Sequence, residues 1–414
     1  MSFEQLGIDE DFNGFLKEEG IKEANEVQQK VIPQIINGNS TLCLAQTGTG
    51  KTLAFALPIS ELIKREEDKN GPQSSKSTPI AVIIAPTKEL SVQIHNVFKK
   101  ISHHARLRIR NLVGGQRNKA TKSLNDQSYE VLIATPNKLL QSLRKKEISF
   151  SNLKYIVFDE ADTLFDMGFK KDIEGIVKFV EYEQTDIHFF SATLPASVEE
   201  YLMEKFKKKE LTKVGFKDNH KVQKKIDTYN IFASVKEKMS ITLAFLQKTA
   251  NGRGIIFANQ KNQVDELATF LDENFKNLKY KKLHGDMDQK SRLANHKSFV
   301  DGKSQILIAT DVAARGIDIK DLKWIFNWNL PKNAEFYLHR CGRVARAGRA
   351  GAVYNIVTGY DSKMIGFINE AIKEQSNFDL ELIAKDIKDV KKKAKKPVKK
   401  QKAKRVKITK RSQR

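Results

Sequence analysis

The sequence predicts two α/β domains, each built on a parallel sheet with helices on both faces. Short β-branched runs alternate with segments of helical spacing twice along the 414 residues, and this alternation is typical of doubly wound folds. The runs are apolar at successive positions, as expected for strands that are covered on both faces. A chain of this length also exceeds one ordinary hydrophobic core, which favours two domains.

Nine runs are predicted as strands. Those of the first half are Thr41–Ala45, Ile80–Ala85, Val131–Ala134, Tyr155–Phe158 and Ile187–Phe190. Those of the second half are Gly254–Ala258, Ile306–Ala309, Trp324–Asn327 and Ala352–Val357. An apolar stripe at helical spacing predicts a helix between two of the strands. Its members are Leu90, Ile94, Val97, Phe98 and Ile101.

Composition places the boundaries between the parts of the chain. A first domain is predicted over residues 1–208, a flexible polar linker over 209–226, and a second domain over 227–378. The end of the chain, 379–414, is basic and too poor in apolar residues to fold alone, so it is predicted to be disordered. Within the first domain, the polar stretch Arg65–Thr78 is predicted to be a surface loop.

The net charge of +23 is concentrated at the end of the chain. From Lys391 onward there are 14 basic residues and no acidic one, which leaves 59 basic against 50 acidic residues before it. Such an excess attracts polyphosphate partners such as nucleic acid. A solvated, soluble surface explains the same excess, and charge alone does not decide between the two.

Other features of the sequence concern the compartment. The two cysteines, Cys43 and Cys341, have neither zinc-ligand spacing nor the pattern of a disulfide framework. The acidic N-terminus has no signal-peptide core, and the longest apolar runs are of strand length. A cytoplasmic protein without a membrane partner is therefore expected.

A phosphate-binding loop follows the first strand. Its glycines allow backbone N–H groups to curl around phosphates at the N-terminus of a helix. Lys51 would neutralise the β- and γ-phosphates, and Thr52 would give its hydroxyl to Mg²⁺. Because the loop precedes a helical segment, a chance glycine-rich turn is a poor alternative. The nucleotide-binding residues are predicted to be Ala45, Gln46, Thr47, Gly48, Thr49, Gly50, Lys51 and Thr52.

An acidic quartet, 159–162, ends the fourth predicted strand. Carboxylates at the carboxyl end of a parallel strand face the ligand crevice. Asp159 is therefore predicted to hold Mg²⁺, and Glu160 to orient and deprotonate the attacking water. Acidic residues also favour the N-terminus of any helix, but a phosphate loop in the same domain makes that alternative weaker.

The ordered set of motifs resembles the DEAD-box RNA helicases of superfamily 2, over roughly residues 1–375. Besides the loop and the quartet, the matching segments in the first half are Pro86-Thr87-Lys88-Glu89-Leu90, Gly114-Gly115, Thr135-Pro136 and Ser191-Ala192-Thr193. In the second half they are Lys282–Asp286, Thr310–Asp318 and His339–Arg349. The short basic tail is similar to that of minimal bacterial members. The resemblance implies two tandem RecA-like domains, with ATP and Mg²⁺ as cofactors.

The resemblance also implies which residues bind RNA. They are Pro86, Thr87, Lys88, Gly114, Gly115, Thr135, Pro136, Gln289, Arg292 and Thr310. Backbone amides and small hydroxyls of this kind bind phosphate oxygens without reading bases. Four further residues would couple the ATP site to RNA: Asp162, Ser191, Thr193 and His339. Ser191 and Thr193 are also suited to capping the helix that follows them.

The resemblance also implies residues that contact the adenine base and the ribose of ATP, and residues that stabilise the transition state of hydrolysis. Gln28 would read adenine, Phe3 matches an isolated upstream aromatic of the family, and Asp318 would lie near the ribose. Ile21 stands where an aromatic residue often stacks on adenine, so stacking is expected to be weaker. In the second domain, the basic stretch His339–Arg349 supplies the two arginine fingers of the family, Arg343 and Arg346.

The expected function is RNA-stimulated ATP hydrolysis coupled to local RNA duplex unwinding or RNP remodelling through closure of two domains. The expected partner is RNA, as a single strand or short duplex, with low sequence specificity. A monomer is expected, and analogy with minimal bacterial members points to ribosomal RNA and ribosome biogenesis. Two alternatives stay open: a DNA translocase, and an RNA-binding scaffold or chaperone that does not hydrolyse ATP.

Overall fold

In the first half of the chain, seven parallel strands form one sheet in the order β3-β4-β2-β5-β6-β1-β7. Neighbouring strands pair in parallel throughout. The strands are β1 Thr41–Leu44, β2 Ala81–Ile84, β3 Ile109–Leu112, β4 Val131–Ala134, β5 Tyr155–Asp159, β6 Asp186–Ser191 and β7 Thr212–Gly215. The computed structural model describes residues 1–45, 48–72, 75–114, 127–194, 196–206, 209–215, 226–314, 322–331, 334–344, 351–361 and 365.

Helices pack on both faces of this sheet, and each face has its own hydrophobic cluster. The helices are α1 Asn13–Glu18, α2 Glu26–Ile36, α3 Lys51–Asn70, α4 Lys88–Ala105, α5 Pro136–Arg144, α6 Ala161–Asp166, α7 Lys170–Val177 and α8 Ala196–Lys205. Short 3₁₀ turns at Glu4–Leu6 and Glu10–Phe12 precede α1. This arrangement matches the predicted doubly wound fold.

The second half repeats the design with six parallel strands in the order β10-β11-β9-β12-β13-β8. The strands are β8 Ile226–Phe232, β9 Arg253–Phe257, β10 Tyr280–Leu283, β11 Ile306–Ala309, β12 Leu322–Asn327 and β13 Gly351–Val357. The helices are α9 Lys238–Lys248, α10 Lys261–Asn274, α11 Gln289–Val300, α12 Asp311–Ala314 and α13 Ala334–Cys341. None of the helices in the described part of the chain is long and apolar enough to cross a bilayer.

All nine predicted strands are present, with ends that differ by one or a few residues. The central ones are buried at every position, for example β2 and β4. The predicted helix is also present as α4, where Thr87 is the N-cap and its hydroxyl accepts a hydrogen bond from the Leu90 N–H. Its apolar stripe packs into the core of the first domain.

Two predicted boundaries differ from the structure. Strand β7 lies inside the predicted linker 209–226, since it pairs with β1 at the edge of the first sheet. Strand β7 was not predicted because its sequence is polar. An edge strand needs few buried side chains, and in β7 only Val214 is buried. The predicted loop Arg65–Thr78 is helical in its first part, because α3 continues to Asn70 and ends before Gly71, which adopts φ +78°.

The strand order determines where functional groups can meet. In the first sheet, β6 lies between β1 and β5, so the loops after β1, β5 and β6 converge at one carboxyl edge. Chain connections leave β1 in one direction and β5 in the other, which opens the crevice where doubly wound folds bind ligands.

Candidate nucleotide and RNA site

The phosphate loop joins β1 to α3 at this edge. Lys51 begins α3 with its side chain buried, and its ammonium donates a hydrogen bond to the Ala45 carbonyl at 2.7 Å. Gly50, the residue before it, has φ +81°, and a Cβ there would lie 2.6 Å from Asn25 Nδ2 and 2.8 Å from Gln28 Nε2. Gly50 is therefore required both for its backbone conformation and for the close approach of α2.

The acidic quartet begins at the end of β5. Burial raises the pKa of the Asp159 carboxyl to about 7, while the Lys51 ammonium opposes this shift and the Glu160 carboxylate adds to it. Glu160 has φ +48°, a left-handed conformation that is strained for a residue with a Cβ. Its Oε2 atom is buried and has no hydrogen-bond partner among the described residues. A strained carboxylate with an unused oxygen is typical of a catalytic group rather than a helix cap.

Asp162 joins three of the predicted coupling residues. Its Oδ2 atom accepts hydrogen bonds from the Thr193 hydroxyl at 2.9 Å and the Thr193 N–H at 3.0 Å. Its own N–H donates to Ser191 Oγ at 3.0 Å. From the second domain, His339 Nε2 lies 3.5 Å from Asp162 Oδ2. The hydroxyls of Ser191 and Thr193 are thus engaged with Asp162, and the predicted coupling set forms one cluster across the two domains.

The electrostatics of this cluster favour a charged Asp162. Burial would by itself raise the pKa of Asp162, but the neighbouring His339, the Lys51 charge and the Thr193 N–H hold it well below its usual range. Asp162 therefore stays ionised where it contacts the second domain.

A cavity of about 620 Å³ connects the phosphate loop, the quartet and the second domain. Its lining includes eight predicted site residues: Gln28, Gly48, Gly50, Lys51, Thr52, Asp159, Glu160 and Arg343. Arg343 belongs to the turn after α13 and is the member contributed by the second domain. The cavity is therefore complete only when both domains are in contact.

The base end of the cavity is formed by the chain before α2. Asn25 caps α2, and Gln28 completes a capping box with it: each backbone N–H donates to the other side chain, at 3.0 Å. Asn25 Nδ2 also donates to the Thr49 carbonyl at 3.1 Å. Gln28 and Ile21 both line the cavity. The sequence did not point to Asn25, although an Asn three residues before a Gln is the usual pattern of a capping box.

Phe3 was predicted to contact the nucleotide. In the structure its side chain is 4% exposed and packs in the hydrophobic core of the first domain. It does not belong to the lining of the cavity. The segment before α1 needs an apolar anchor to pack against the domain, and Phe3 supplies it together with Leu6 and Ile8.

The predicted RNA residues lie at the carboxyl ends of strands in both domains. Thr87 follows β2, Gly114 follows β3, Thr135 follows β4 and Thr310 follows β11. Pro86 is buried, and Pro136 is the first residue of α5. A Cβ on Gly114 would lie 3.9 Å from the Lys88 side chain, so these two predicted residues are neighbours.

Arg292, which was predicted to bind RNA, contacts the first domain in the structure. Its Nη2 atom donates to Glu89 Oε2 at 2.8 Å, and its Nε atom lies 2.7 Å from Glu89 Oε1. Glu89 is on α4 of the first domain and is almost fully buried, whereas Arg292 is on α11 of the second. The guanidinium is thus engaged by a carboxylate across the domains. Gln289 is the first residue of α11.

Five predicted residues lie outside the part of the chain that the structure describes. They are Gln46, Thr47, Gly115, Asp318 and Arg346. The side chain of Gln289 also lies outside it.

Arg340 is a residue that the sequence reasoning missed. Its guanidinium forms a two-point ion pair with Asp311 at 2.5 and 2.7 Å and also donates to Asn259 Oδ1 at 2.9 Å. Its side chain is 1% exposed, so it is a fully paired buried cation. Both Arg340 and Asp311 belong to segments that resemble family motifs. Because a buried Arg needs an acidic partner, this pair could have been proposed from the sequence.

Two parallel-sheet domains that share one cavity, with a phosphate loop on one and an arginine from the other, define a two-domain nucleotide-driven motor. A model of the DEAD/DEAH box helicase family matches residues 25–201, and a model of the helicase conserved C-terminal domain matches residues 237–348. The chain belongs to the DEAD-box family and is an ATP-dependent RNA helicase.

Relatives and solved structures agree with this assignment. The DEAD-box ATP-dependent RNA helicase RhpA of Helicobacter pylori is 35% identical over 92% of this chain and 73% of its own length. CshA of Bacillus cereus is 32% identical over 90% and 69%. The structure of the DEAD-box helicase Mss116 bound to single-stranded RNA and UDP-BeF has a TM-score of 0.78 at 27% identity, covering 89% of this chain and 76% of that one. S. cerevisiae Dbp5 shares the fold, with a TM-score of 0.80 at 24% identity over 94% and 99%.

Proposed function

We propose that ATP is hydrolysed in the cavity between the domains and that the closed arrangement is the active one. The observation that carries this proposal is Arg343, which reaches from the second domain into a cavity lined by Lys51 and Glu160 of the first. In related NTPases an arginine finger raises the rate by about 10³–10⁵. Domain closure would thus switch hydrolysis on.

Three side chains divide the chemistry. The Lys51 ammonium, which bonds to a carbonyl of its own loop, would bind the terminal phosphates of ATP. Glu160 Oε2, buried without a hydrogen-bond partner among the described residues, would orient the attacking water and accept its proton. Arg343 would stabilise the negative charge that develops on the transferred phosphoryl group.

Asp159 and Thr52 fit a magnesium ion. Mg²⁺ prefers oxygen ligands and is usually held by one or two carboxylates with waters and substrate phosphates. Both residues line the cavity, and the raised pKa of about 7 for Asp159 fits a buried carboxylate suited to a cation. Bound there, Mg²⁺ would neutralise phosphate charge.

We propose that a single RNA strand binds along the carboxyl ends of strands in both domains. Thr87, Thr135 and Thr310 begin or precede helices at that edge. Backbone N–H groups and hydroxyls at helix N-termini bind phosphate oxygens independently of base. Low sequence preference follows, and the single-stranded RNA in the Mss116 complex supports this partner. Because a duplex cannot follow a bent path fixed by two domains, one strand would be released and the duplex opened locally.

Coupling between ATP and RNA would pass through the contact between Asp162 and His339. Each ligand favours the closed arrangement and therefore helps the other to bind, as linkage requires. The Ser191 and Thr193 hydroxyls hold Asp162 from the first domain. Gln28 would read adenine, since it lines the cavity next to the phosphate loop.

The cellular setting is part of the proposal. We place the protein in the cytoplasm as a monomer, acting on structured RNA such as ribosomal RNA during ribosome biogenesis. The excess of positive charge at the end of the chain supports an RNA target.

The role of Glu160 can be tested with Glu160→Gln in the full chain. We expect RNA-stimulated ATP turnover to fall by at least 100-fold, because the general base is lost. ATP-dependent binding of RNA should persist or become longer-lived, as measured by dissociation of a labelled single strand. Glu181→Gln, which changes an exposed glutamate outside the cavity lining, serves as the control. Turnover near that of the control would contradict the assignment.

The choice of RNA over DNA can be tested on the unaltered protein. ATPase stimulation is compared between RNA and single-stranded DNA of matched sequence. We expect stimulation by RNA and little by DNA, since much of the contact should involve the phosphate and the 2′-hydroxyl. Equal stimulation would favour a nucleic-acid motor of broader specificity.

A further inference from the structure

Three neighbouring strands of the second sheet carry asparagine at the same level. Asn327 of β12 is the register partner of Asn355 of β13, which is the partner of Asn230 of β8. Asn327 and Asn355 are 0% and 3% exposed. Asparagine is depleted in strands, and burying an amide is costly unless it is hydrogen-bonded. This set, the asparagine row, therefore needs an explanation within an otherwise apolar sheet.

Hydrogen bonds join the three side chains of the row to one another and to α13. Asn327 Nδ2 donates to Asn355 Oδ1 at 2.7 Å, and Asn355 Nδ2 donates to Asn230 Oδ1 at 2.8 Å. Asn355 Nδ2 also donates to the Tyr337 hydroxyl at 3.1 Å, and Arg340 Nη1 donates to Asn327 Oδ1 at 2.9 Å. Asn355 thus uses its oxygen and both amide hydrogens. Tyr337 and Arg340 are one turn apart on α13.

Two of the groups that reach the first domain lie in or just after helix α13. His339, next to Arg340, lies 3.5 Å from Asp162. Arg343 follows three residues later and lines the cavity, and its N–H donates to the Arg340 carbonyl at 3.0 Å. Arg340 is thus adjacent to His339 in sequence and is joined to Arg343 by a backbone hydrogen bond. The Arg340 guanidinium is also held by the Asn329 carbonyl at 2.7 Å.

We propose that the asparagine row is a positioning element for ATP hydrolysis. It fixes α13 through Tyr337 and Arg340, and so holds Arg343 where the closed cavity needs it; this rests on the role proposed above for Arg343. Apolar side chains could stabilise the sheet as well as buried amides do. A bonded network, by contrast, fixes one orientation of its members. Asn355 is the central residue, because it bonds to both other members of the row and to Tyr337 of α13.

The test is Asn355→Leu, a change of similar volume that removes every side-chain hydrogen bond of the residue. In the full chain with saturating RNA, we expect kcat for ATP to fall about tenfold and KM to change less than twofold. An interaction made only in the transition state lowers kcat in this way. Thr242→Val is the matched control, because it removes a buried hydroxyl whose bond, to the Lys238 carbonyl at 2.8 Å, lies within α9. The control should keep the wild-type kcat.

A second measurement separates positioning from stability. If Asn355 acts through Arg343, then Asn355→Leu combined with Arg343→Ala should have the kcat of Arg343→Ala alone. A retained kcat in folded Asn355→Leu, or a loss that multiplies with that of Arg343→Ala, would overturn the proposal. If Arg343→Ala itself turns over normally, the role of Arg343 has failed instead.

A second variant, Asn230→Ala, tests the proposal if Asn355→Leu does not fold. Asn230 is half-buried on the edge strand β8, so its replacement disturbs the core less. We expect a loss of kcat of about threefold with KM unchanged, because Asn355 keeps its bonds to Asn327 and Tyr337. An unchanged kcat in this variant together with an unfolded Asn355→Leu would show that the row serves stability alone.

Discussion

At the scale of single residues, charged and polar groups are buried where their neighbours decide their protonation. Asp159 and Asp162 are three residues apart and both buried, yet their pKa values move in opposite directions. Burial raises the pKa of Asp159, whereas His339 and the Thr193 N–H lower that of Asp162. The first is thereby suited to meeting a cation, and the second stays ionised beside His339.

His188 is a buried residue whose titration should affect stability. It lies on β6 with no exposed surface, and neither ring nitrogen has a hydrogen-bond partner among the described residues. Burial lowers the pKa of His188 to about 3. The unfolded chain binds this proton near its ordinary pKa of about 6.5 and the folded one does not, so stability falls as pH decreases through 6.5. From pH 7 to pH 5 the loss from this residue should be about 2 kcal/mol.

His188→Leu should remove that loss. We expect its free energy of unfolding, measured by urea denaturation, to decrease less than that of the wild type between pH 7 and pH 5. His103→Leu, which alters an exposed histidine of α4, should retain the wild-type dependence. Parallel pH profiles for His188→Leu and the wild type would show that His188 is not the source.

At the scale of elements, the sequence was informative where strands are buried on both faces. The continuous apolar runs of β2 and β11 are typical of central strands, and both strands are buried at every position. The strands that the sequence did not reveal, β3, β7, β8 and β10, are at or near sheet edges and carry polar residues. These strands form because they pair with a neighbouring strand, and no local sequence pattern encodes that pairing.

Helices α4 and α11 are joined across the domains by Glu89 and Arg292, and this contact should support the closed arrangement. We expect Glu89→Gln and Arg292→Gln each to lower kcat/KM for RNA-stimulated hydrolysis by about tenfold. The buried carboxylate makes the pair stronger than an exposed one. ATPase assays over a range of RNA concentrations measure the effect.

The double variant distinguishes a domain contact from an RNA contact. If the two side chains act as a pair, Glu89→Gln with Arg292→Gln should be no worse than either single change. If Arg292 instead binds RNA, as the sequence suggested, Glu89→Gln should leave the KM for RNA unchanged, and the pairing would be refuted.

At the scale of the whole molecule, the basic end of the chain should add affinity that does not depend on sequence. For single strands the slope of log K against log salt concentration is about −0.7 per neutralised phosphate. Deleting residues 391–414, with 14 positive charges, should therefore flatten the slope while ATP turnover at saturating RNA is maintained. The slope is obtained by measuring RNA binding between about 50 and 300 mM salt, a range in which the Debye length is on the order of 10 Å.

A tail of equal length with glutamine at each basic position is the control for chain length. It should behave as the deletion does. A slope that stays as steep in both variants would mean that the folded domains supply the salt-dependent contacts.

The site was predictable where one contiguous segment carries the chemistry. Lys51, Asp159 and Glu160 could be predicted to lie together because each follows a recognisable strand, and all three line the cavity. Arg340 and the asparagine row were not found, since their partners are distant in sequence and come together only in the sheet. The packing of Phe3 in the core was not predicted, because sequence alone does not distinguish an aromatic residue that packs from one that binds a ligand.

The shared wall of the cavity has a consequence for how the chain is joined. Arg343 and the phosphate loop are in separate folded units, so if the two units were separate molecules, their encounter would be bimolecular. A covalent connection replaces that encounter with a local concentration, in the millimolar range for a short flexible tether. The length of the connection is thus a kinetic parameter of the enzyme. A change in that length would alter the rate of domain closure without altering a residue of either domain.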